Sequence, residues 1–425
     1  MAEAYVPRDT LGLWWLGDPE RPVPIGEITL VHGGRGIGLR YGAQWLREGF
    51  ALSDDLPLRP DLFVPPERDG VVGAVDDARP DRWGERVIRK FERASRLSLL
   101  EFLLFAGDDR YGALGVSREP DRYEPWERAP APGFEQLADM AEVVRKVLAN
   151  EAVDERQRRL VRPGASLGGA RPKSLLQMDG ASWLVKFAED DEFDAPLVEH
   201  ATAELARACG IVCVRTRALP LTSGHAVAVL RFDRAGATRL HAISAFVALR
   251  AAGESLGYPE FAQLLRRLAP AEHIAAMQHE LFRRTVFNIL IDNTDDHEKN
   301  HALLRRPDGR WVLAPAFDVL PTAQGLGYQQ MRVGERGAES SLENALGACA
   351  HFGLKQPAAR ALIAQVCAGV ARWKDAFAAT GVSAADIDHL ARFVDRDALR
   401  KQREAFQAAT PPPPAARRTP GPRRP

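Results

Sequence analysis

Between Asn293 and Asn300 the chain reads N-T-D-D-H-E-K-N, and a predicted hairpin, HALLRRPDGRWVLAP, then leads to Ala316-Phe317-Asp318. A carboxylate, an amide five positions later and a second carboxylate after a short hairpin are the set used in phosphoryl transfer. In that chemistry Asp295 accepts the proton of an attacking hydroxyl. Asn300 and Asp318 supply oxygen ligands to magnesium, a hard cation that takes few protein oxygens and leaves its other positions to phosphate and water. The metal spreads the charge that builds on the transferred phosphoryl group.

Such a site also needs a cation for the nucleotide phosphates and backbone donors around them. Lys186, in the apolar run SWLVKF, stands at the end of a predicted strand, where a kinase-type lysine belongs. A following helix offers Glu199 to orient it by an ion pair, and Glu204 competes for that role on spacing. The stretch Gly164-Ala-Ser-Leu-Gly-Gly-Ala-Arg-Pro-Lys-Ser174 holds three glycines that permit close backbone approach to phosphate. It does not match G-x-x-x-x-G-K-[ST], because Ala170 and Arg171 follow the second required glycine, so a P-loop nucleotidase is disfavoured.

Two other readings compete. NTDDHEKN could be a solvated loop whose Asp and Asn residues serve turns. Alternatively Asp295, Asp296, His297 and Asp318 could form the metal site of a hydrolase. His297 reads better as a hydrogen-bonding residue of the loop than as a metal ligand, and Asp296 is expected to be exposed.

The elements that must position these residues follow from pattern. At 425 residues, with 45% hydrophobic and 27% charged, the chain exceeds one compact core and is an ordinary globular composition. Two strand-like stretches, EITLV and GIGLRY, flank His32-Gly33-Gly34-Arg35 as a hairpin. Helical spacing runs from Arg82 to Phe105, from Phe134 to Leu160 and from Leu197 to Cys209, which Gly210 ends. Asp179-Gly180 between SLLQM and SWLVKF is a hairpin signal, and Ala226 to Phe232 suits a buried strand. Past residue 236 the pattern is helical, interrupted at 294–320; residues 384–409 read as a last helix.

The 57 basic and 57 acidic residues cancel, so no global field draws the chain to nucleic acid or anionic membrane. Four of the arginines lie in the proline-rich tail from residue 410, leaving 53 basic against 57 acidic residues before it. The tail is expected to be disordered. Four scattered cysteines, Cys209, Cys213, Cys349 and Cys367, suit buried thiols in helices of a cytoplasmic protein rather than a disulfide framework. Neither a leader nor a membrane-spanning run is apparent.

The ordered set DRWGERVIRK, GDDRYGALG, SLGGARPKSLL, WLVKF, VEHATAELARACGI, VLRFDR, NTDDHEKN and AFDVLPT resembles the HipA family of serine/threonine kinase toxins from bacterial type II toxin-antitoxin systems. The resemblance covers nearly the whole chain before the tail. It implies an α+β, protein-kinase-like two-lobed fold with a β-rich N-lobe and a helical C-lobe. Its divisions would be a β-rich N-terminal subdomain (1–118), a nucleotide-binding core (119–235), a helical C-lobe (236–409) and the tail (410–425). ATP and Mg2+ would be the cofactors. Asp295 would be the base, Asn300 and Asp318 the metal ligands, Lys186 the phosphate contact and Glu199 its partner.

The resemblance further implies that Leu167, Gly168, Gly169, Ala170, Arg171 and Lys173 cover the phosphates, and that Leu230 and Phe232 line the adenine largely through backbone groups. His297 and Lys299 would join the nucleotide contacts. Ser166 matches a serine that is autophosphorylated, ejecting the loop, as about two added charges beside bound phosphates would. The family often has an acidic residue at Leu230 and a Gln at Arg171. Implied partners are a small HipB-like helix-turn-helix antitoxin, operator DNA reached only through it, and a protein substrate such as an aminoacyl-tRNA synthetase, whose phosphorylation arrests growth. The alternative is a catalytically silent HipA-like protein that acts as co-repressor of such an antitoxin.

Overall fold

The stretch around His32 reverses the chain because His32, Gly33 and Gly34 all take positive φ angles, 53°, 69° and 89°. In the computed structural model, which describes residues 5–126, 130–164 and 169–408, this turn joins two strands of a five-stranded antiparallel sheet. Its members are β1 (Thr10–Trp15), β2 (Val23–Val31), β3 (Gly36–Tyr41), β4 (Leu62–Phe63) and β5 (Leu114–Ser117), in the order β4-β3-β2-β1-β5. Helix α1 (Ala43–Glu48) follows β3, and α2 (Gly73–Asp76), α3 (Arg82–Phe91) and α4 (Leu99–Phe105) precede β5. The predicted helix from Arg82 to Phe105 is thus two. Glu92 turns extended at the end of the first, and Ser98 and Glu101 form a capping box that starts the second.

Similarly, α5 (Leu137–Leu148) and α6 (Glu155–Arg158) replace one predicted helix, broken where Asn150 takes a φ of 56°. The next sheet is antiparallel, order β6-β7-β9-β8, from β6 (Lys173–Met178), β7 (Ala181–Phe187), β8 (Thr216–Pro220) and β9 (His225–Leu230). Asp179 and Gly180, at φ 53° and 71°, make the tight β6–β7 turn that an Asp-Gly pair favours. Its register sets Lys173 opposite Lys186. Between β7 and β8 runs α7 (Ala195–Ala208), capped by the Asp194 carboxylate. One face of the sheet packs on α3 and α5 through Trp83, Val87, Met140, Val144, Trp183 and Val185. The other carries Val227 and Val229 against Val214, Phe232 and Phe317.

A ribbon of β10 (Arg234–Ala235) and β11 (Thr238–Arg239) leads into the helical lobe, whose own small sheet is β12 (Ala242–Ser244), β13 (Ala302–Arg305) and β14 (Trp311–Leu313). Helices α8 (Ala245–Ala251), α9 (Tyr258–Leu268) and α10 (Ile274–Leu290) separate β12 from β13. After β14 the irregular stretch continues to Ser341, longer than the predicted interruption. Then come α11 (Leu342–Gly347), α12 (Gln356–Val370), α13 (Trp373–Ala379), α14 (Ala384–Val394) and α15 (Asp397–Ala408). The last predicted helix is divided where Asp395 accepts hydrogen bonds from Trp373 and Arg403, at 3.1 and 2.5 Å.

The fold is a two-lobed, kinase-like α+β architecture, its sheets antiparallel throughout the named strands. One buried apolar cluster runs from Leu13, Ile28 and Leu39 of the first sheet to Val247, Phe287 and Leu290 of the helical lobe, so the N-terminal addition shares its core with the C-lobe. The cysteines are free; Cys213 is half-buried on a segment bridged to Ala316 rather than in a helix, and the other three are buried. No helix among the described residues is long and apolar enough to cross a membrane. The tail from residue 410 lies outside the described residues.

Candidate active site

The alternation of β7 sends Lys186 off the sheet while Trp183, Val185 and Phe187 enter buried cores. Its ammonium donates to Glu199 Oε1 and to Asp318 Oδ1, each at 2.7 Å. Glu199 lies on α7 and is buried; Glu204, its rival on spacing, pairs with Arg207 at the surface. Burial opposes the charge of Lys186, yet Asp318 and Glu199 together hold it protonated, its pKa above the usual lysine range. Burial likewise opposes ionisation of Asp318, but Lys186 and then Lys173 hold its carboxyl well below the usual range. Asp318 adopts a φ of 57°, a left-handed conformation that Asp tolerates better than bulkier residues, so the surroundings must enforce it.

The loop 293–300 is held from below. Asp296 is buried, not exposed as expected: it accepts hydrogen bonds from His301 Nε2 at 2.8 Å and from the Tyr258 hydroxyl. Asp292, at a φ of 58°, accepts Thr322 N–H on its carbonyl and Gly325 N–H on its carboxylate, at 3.1 and 3.0 Å. These ties bind the loop to the segment after Asp318. Asp295 is left free to face the cleft. Although exposed at the rim, it loses enough water to the cleft walls to raise its carboxyl pKa; Asp318 and Asp296 add to this and His297 opposes it.

Gly169, Arg171, Lys186, Asp295, Asn300 and Asp318 line one open cavity of about 510 Å³, within the range of small-molecule sites. Asn300 is buried, and its Nδ2 donates to the Asp295 carbonyl at 3.4 Å while its Oδ1 meets no hydrogen-bond partner among the described residues. A buried carbonyl oxygen without a partner beside an ionised carboxylate fits magnesium, which needs just such hard oxygens and takes its remaining ligands from phosphate and water. The hydrolase arrangement does not form, since Asp296 is turned into Tyr258 and His301. Among the described residues no three His, Cys, Asp or Glu side chains are grouped to hold a metal.

The glycine-rich loop enters this cavity at Gly169 and Ala170. Gly169 has a φ of 96°, and a Cβ there would stand 2.7 Å from the Lys173 ammonium, so the position takes glycine for both reasons. Arg171 forms a two-pronged pair with Asp191, at 2.9 and 2.8 Å. Lys173 is paired with Asp81 at 2.9 Å, at the start of α3. Ser166, Leu167 and Gly168 lie outside the described residues. His297 lines the cavity, whereas Lys299 lies outside its walls, 3.3 Å from Asp76.

Leu230 and Phe232 are not among the cavity's walls. The Leu230 N–H already donates to the Arg215 carbonyl at 2.9 Å, and Phe232 packs on Phe317 at 5.2 Å between ring centroids. Sequence reading missed Phe193 and His389, which close the cavity from the two lobes, and Asp81. An Asp just before an apolar-periodic helix was a visible N-cap signal for Asp81; His389 carries no such signal.

Residues 165–374 match the HipA-like C-terminal domain and residues 21–117 the HipA N-terminal domain. The chain belongs to the HipA family. Putative kinase Y4dM of Sinorhizobium fredii is 31% identical over 157 residues, which are 34% of this chain and span only 38% of that relative. The HipA toxin in the Shewanella oneidensis MR-1 complex of HipA, HipB and operator DNA superposes with a TM-score of 0.67 at 17% identity, covering 94% of this chain and 97% of that one. At that identity the likeness speaks for the fold. The Helicobacter pylori proinflammatory kinase CtkA overlaps more loosely, with a TM-score of 0.40 at 14% identity over 58% of this chain and 95% of that one.

Proposed function

We propose that this HipA-family chain is an ATP-dependent protein serine/threonine kinase and the toxin of a HipBA-like module. One observation carries the reading: Lys186 is shared between Glu199 and Asp318 in the wall that also holds Asp295 and Asn300. Bound Mg2+ would be held by Asn300 and Asp318, and would offset charge on the transferred phosphoryl group. Lys186 offers a permanent cation to the nucleotide phosphates, kept in place from behind by Glu199. Asp295 receives the proton of the acceptor hydroxyl. Gly169 and Ala170 leave room for phosphate against the backbone.

The substrate is a protein of the translation apparatus, with an aminoacyl-tRNA synthetase as the model case, and Ser166 is a second, internal acceptor. A HipB-like antitoxin restrains the kinase and carries it to operator DNA, as the complex of the Shewanella relative suggests. The test is radiolabelled transfer from [γ-32P]ATP to the chain and to a bacterial lysate, comparing the parent with Asp295→Asn. Labelling by the parent alone is expected, together with growth arrest when it is expressed without antitoxin. Equal labelling by both removes Asp295 as base, and no labelling by either leaves the co-repressor reading in its place.

A further inference from the structure

Behind the loop 293–300 lies a small second cavity, walled by α7, α10, the segment 316–319 and the inner side of the loop with His301. It gives the centre of a water molecule about 10 Å³ in which to sit. One buried water requires about 10–15 Å³ by that measure. Three side chains of the wall, Arg284, Asn300 and His301, are only 3%, 5% and 2% exposed. Each carries a polar atom with no hydrogen-bond partner among the described residues, namely Arg284 Nη1, Asn300 Oδ1 and His301 Nδ1.

Two of the three are rigidly held by their other atoms. Arg284 Nε donates to Glu280 Oε1 at 3.0 Å, and its Nη2 donates to the carbonyls of Ala314 and Val212 at 2.9 and 3.3 Å. His301 gives its Nε2 proton to Asp296 at 2.8 Å, and its ring meets that of Tyr258 edge-on at 5.7 Å between centroids. With the proton on Nε2, Nδ1 carries a bare lone pair. Asn300 is tied more loosely, by Nδ2 to the Asp295 carbonyl at 3.4 Å, and one long bond does not fix which way an amide faces.

A donor and two lone-pair acceptors around one small space call for an occupant that both accepts and donates. The guanidinium repels a cation and the lone pairs repel an anion, whereas water satisfies all three with three hydrogen bonds, the usual number for a buried water. We infer that one water accepts from Arg284 Nη1 and donates to His301 Nδ1 and Asn300 Oδ1, which makes Arg284 and His301 positioning residues for the metal ligand. Asn300 stands in the walls of both this cavity and the cleft, and its carbonyl oxygen has two lone pairs. The water takes one and leaves the other for Mg2+. The role toward the metal rests on the kinase reading above; the water site itself does not.

The experiment pairs a crystal structure of the full chain, with ordered waters resolved, with Mn2+ titrations of the parent, His301→Gln and His301→Asn beside a non-hydrolysable ATP analogue. Binding is read as loss of the free Mn2+ electron paramagnetic resonance signal, since Mn2+ takes the same hard oxygen ligands as Mg2+. Gln places its amide nitrogen near the site of Nε2, so the bond to Asp296 is kept and the contact at Nδ1 is lost; Asn does the reverse. Expected are one water within about 3.2 Å of all three atoms, about tenfold weaker Mn2+ binding by His301→Gln, and recovery of that loss in His301→Asn even where its urea midpoint falls. A dry cavity, or an Asn300 amide with Nδ2 turned towards Arg284, overturns the inference. Superimposable titrations of the parent and His301→Gln overturn it as well, as does weakening in both variants that follows their midpoints. Absence of nucleotide-dependent Mn2+ binding by the parent is instead a failure of the kinase reading, and the electron density then decides the water alone.

Discussion

Three carboxylates within one loop and hairpin are held in three different ways. Asp296 is buried and spent on Tyr258 and His301, Asp318 is pinned as an anion by Lys186, and Asp295 keeps its proton more readily than an ordinary aspartate because water is thinned around it. A base must be ionised to act, so kcat/KM for phosphoryl transfer is expected to fall as pH drops through this raised pKa, with an acid limb above the usual aspartate value. Asp295→Asn is expected to lower kcat by about 10²- to 10⁴-fold and to erase that limb in the residual rate. A pH–rate profile unchanged in shape by the substitution would remove Asp295 from the chemistry. Asn300 presents a buried oxygen with no partner among the described residues. Asn300→Ala is therefore expected to raise the Mg2+ concentration giving half-maximal rate, and chelation of Mg2+ should stop transfer in the parent; a superimposable Mg2+ titration would refute the ligand assignment.

Between elements, the decisive junctions are β7 with α7 and α2 with α8. Lys186 and Glu199 bring the first pair together across a buried ion pair, and removing one partner leaves the other without compensation. Lys186→Met is expected to destabilise the fold by about 3–5 kcal/mol, read as a lower urea midpoint; a midpoint within error of the parent would mean the pair is not a structural tie. At the second junction Asp77, just past α2, caps the start of α8 through Ser244, and burial pushes its carboxyl up to about 6 from 3.8. Between those two values the folded chain holds a proton that the unfolded chain has released, so stability should decline as pH rises through the window. Asp77→Asn, which carries no charge, should flatten that decline in thermal melts; melts of parent and variant that fall in parallel from pH 4 to 6 would exclude Asp77 as its source.

Over the whole molecule, the N-terminal subdomain is part of the kinase-like body. Its sheet residues Leu13, Ile28 and Leu39 belong to the same buried cluster as Phe287 and Leu290, which immediately precede the loop 293–300. Its α3 caps the back of the β6–β9 sheet, and its Asp76 and Asp81 reach Lys299 and Lys173. A chain beginning at residue 119 would expose that apolar surface to water and is expected to aggregate rather than melt cooperatively. Circular dichroism melts and gel filtration decide the point, and a monomeric fragment with a single sharp transition would show two independent units.

The sequence alone determined the order of chemical groups and the local geometry that depends on neighbours in the chain. Asp295, Asn300 and Asp318 were legible from spacing, Lys186 from its strand, and the turns at Gly33 and Asp179-Gly180 from residues that tolerate positive φ. Helix lengths were overestimated because periodicity continues through breaks made by local capping, as at Ser98, or by long-range hydrogen bonds to side chains such as Trp373. Only tertiary structure chose Glu199 over Glu204, since both lie on one helix and burial against the sheet selects between them. It alone turned Asp296 inward and paired Lys299 with Asp76. Those outcomes depend on contacts between residues far apart in the chain, and such contacts leave no period or spacing to read.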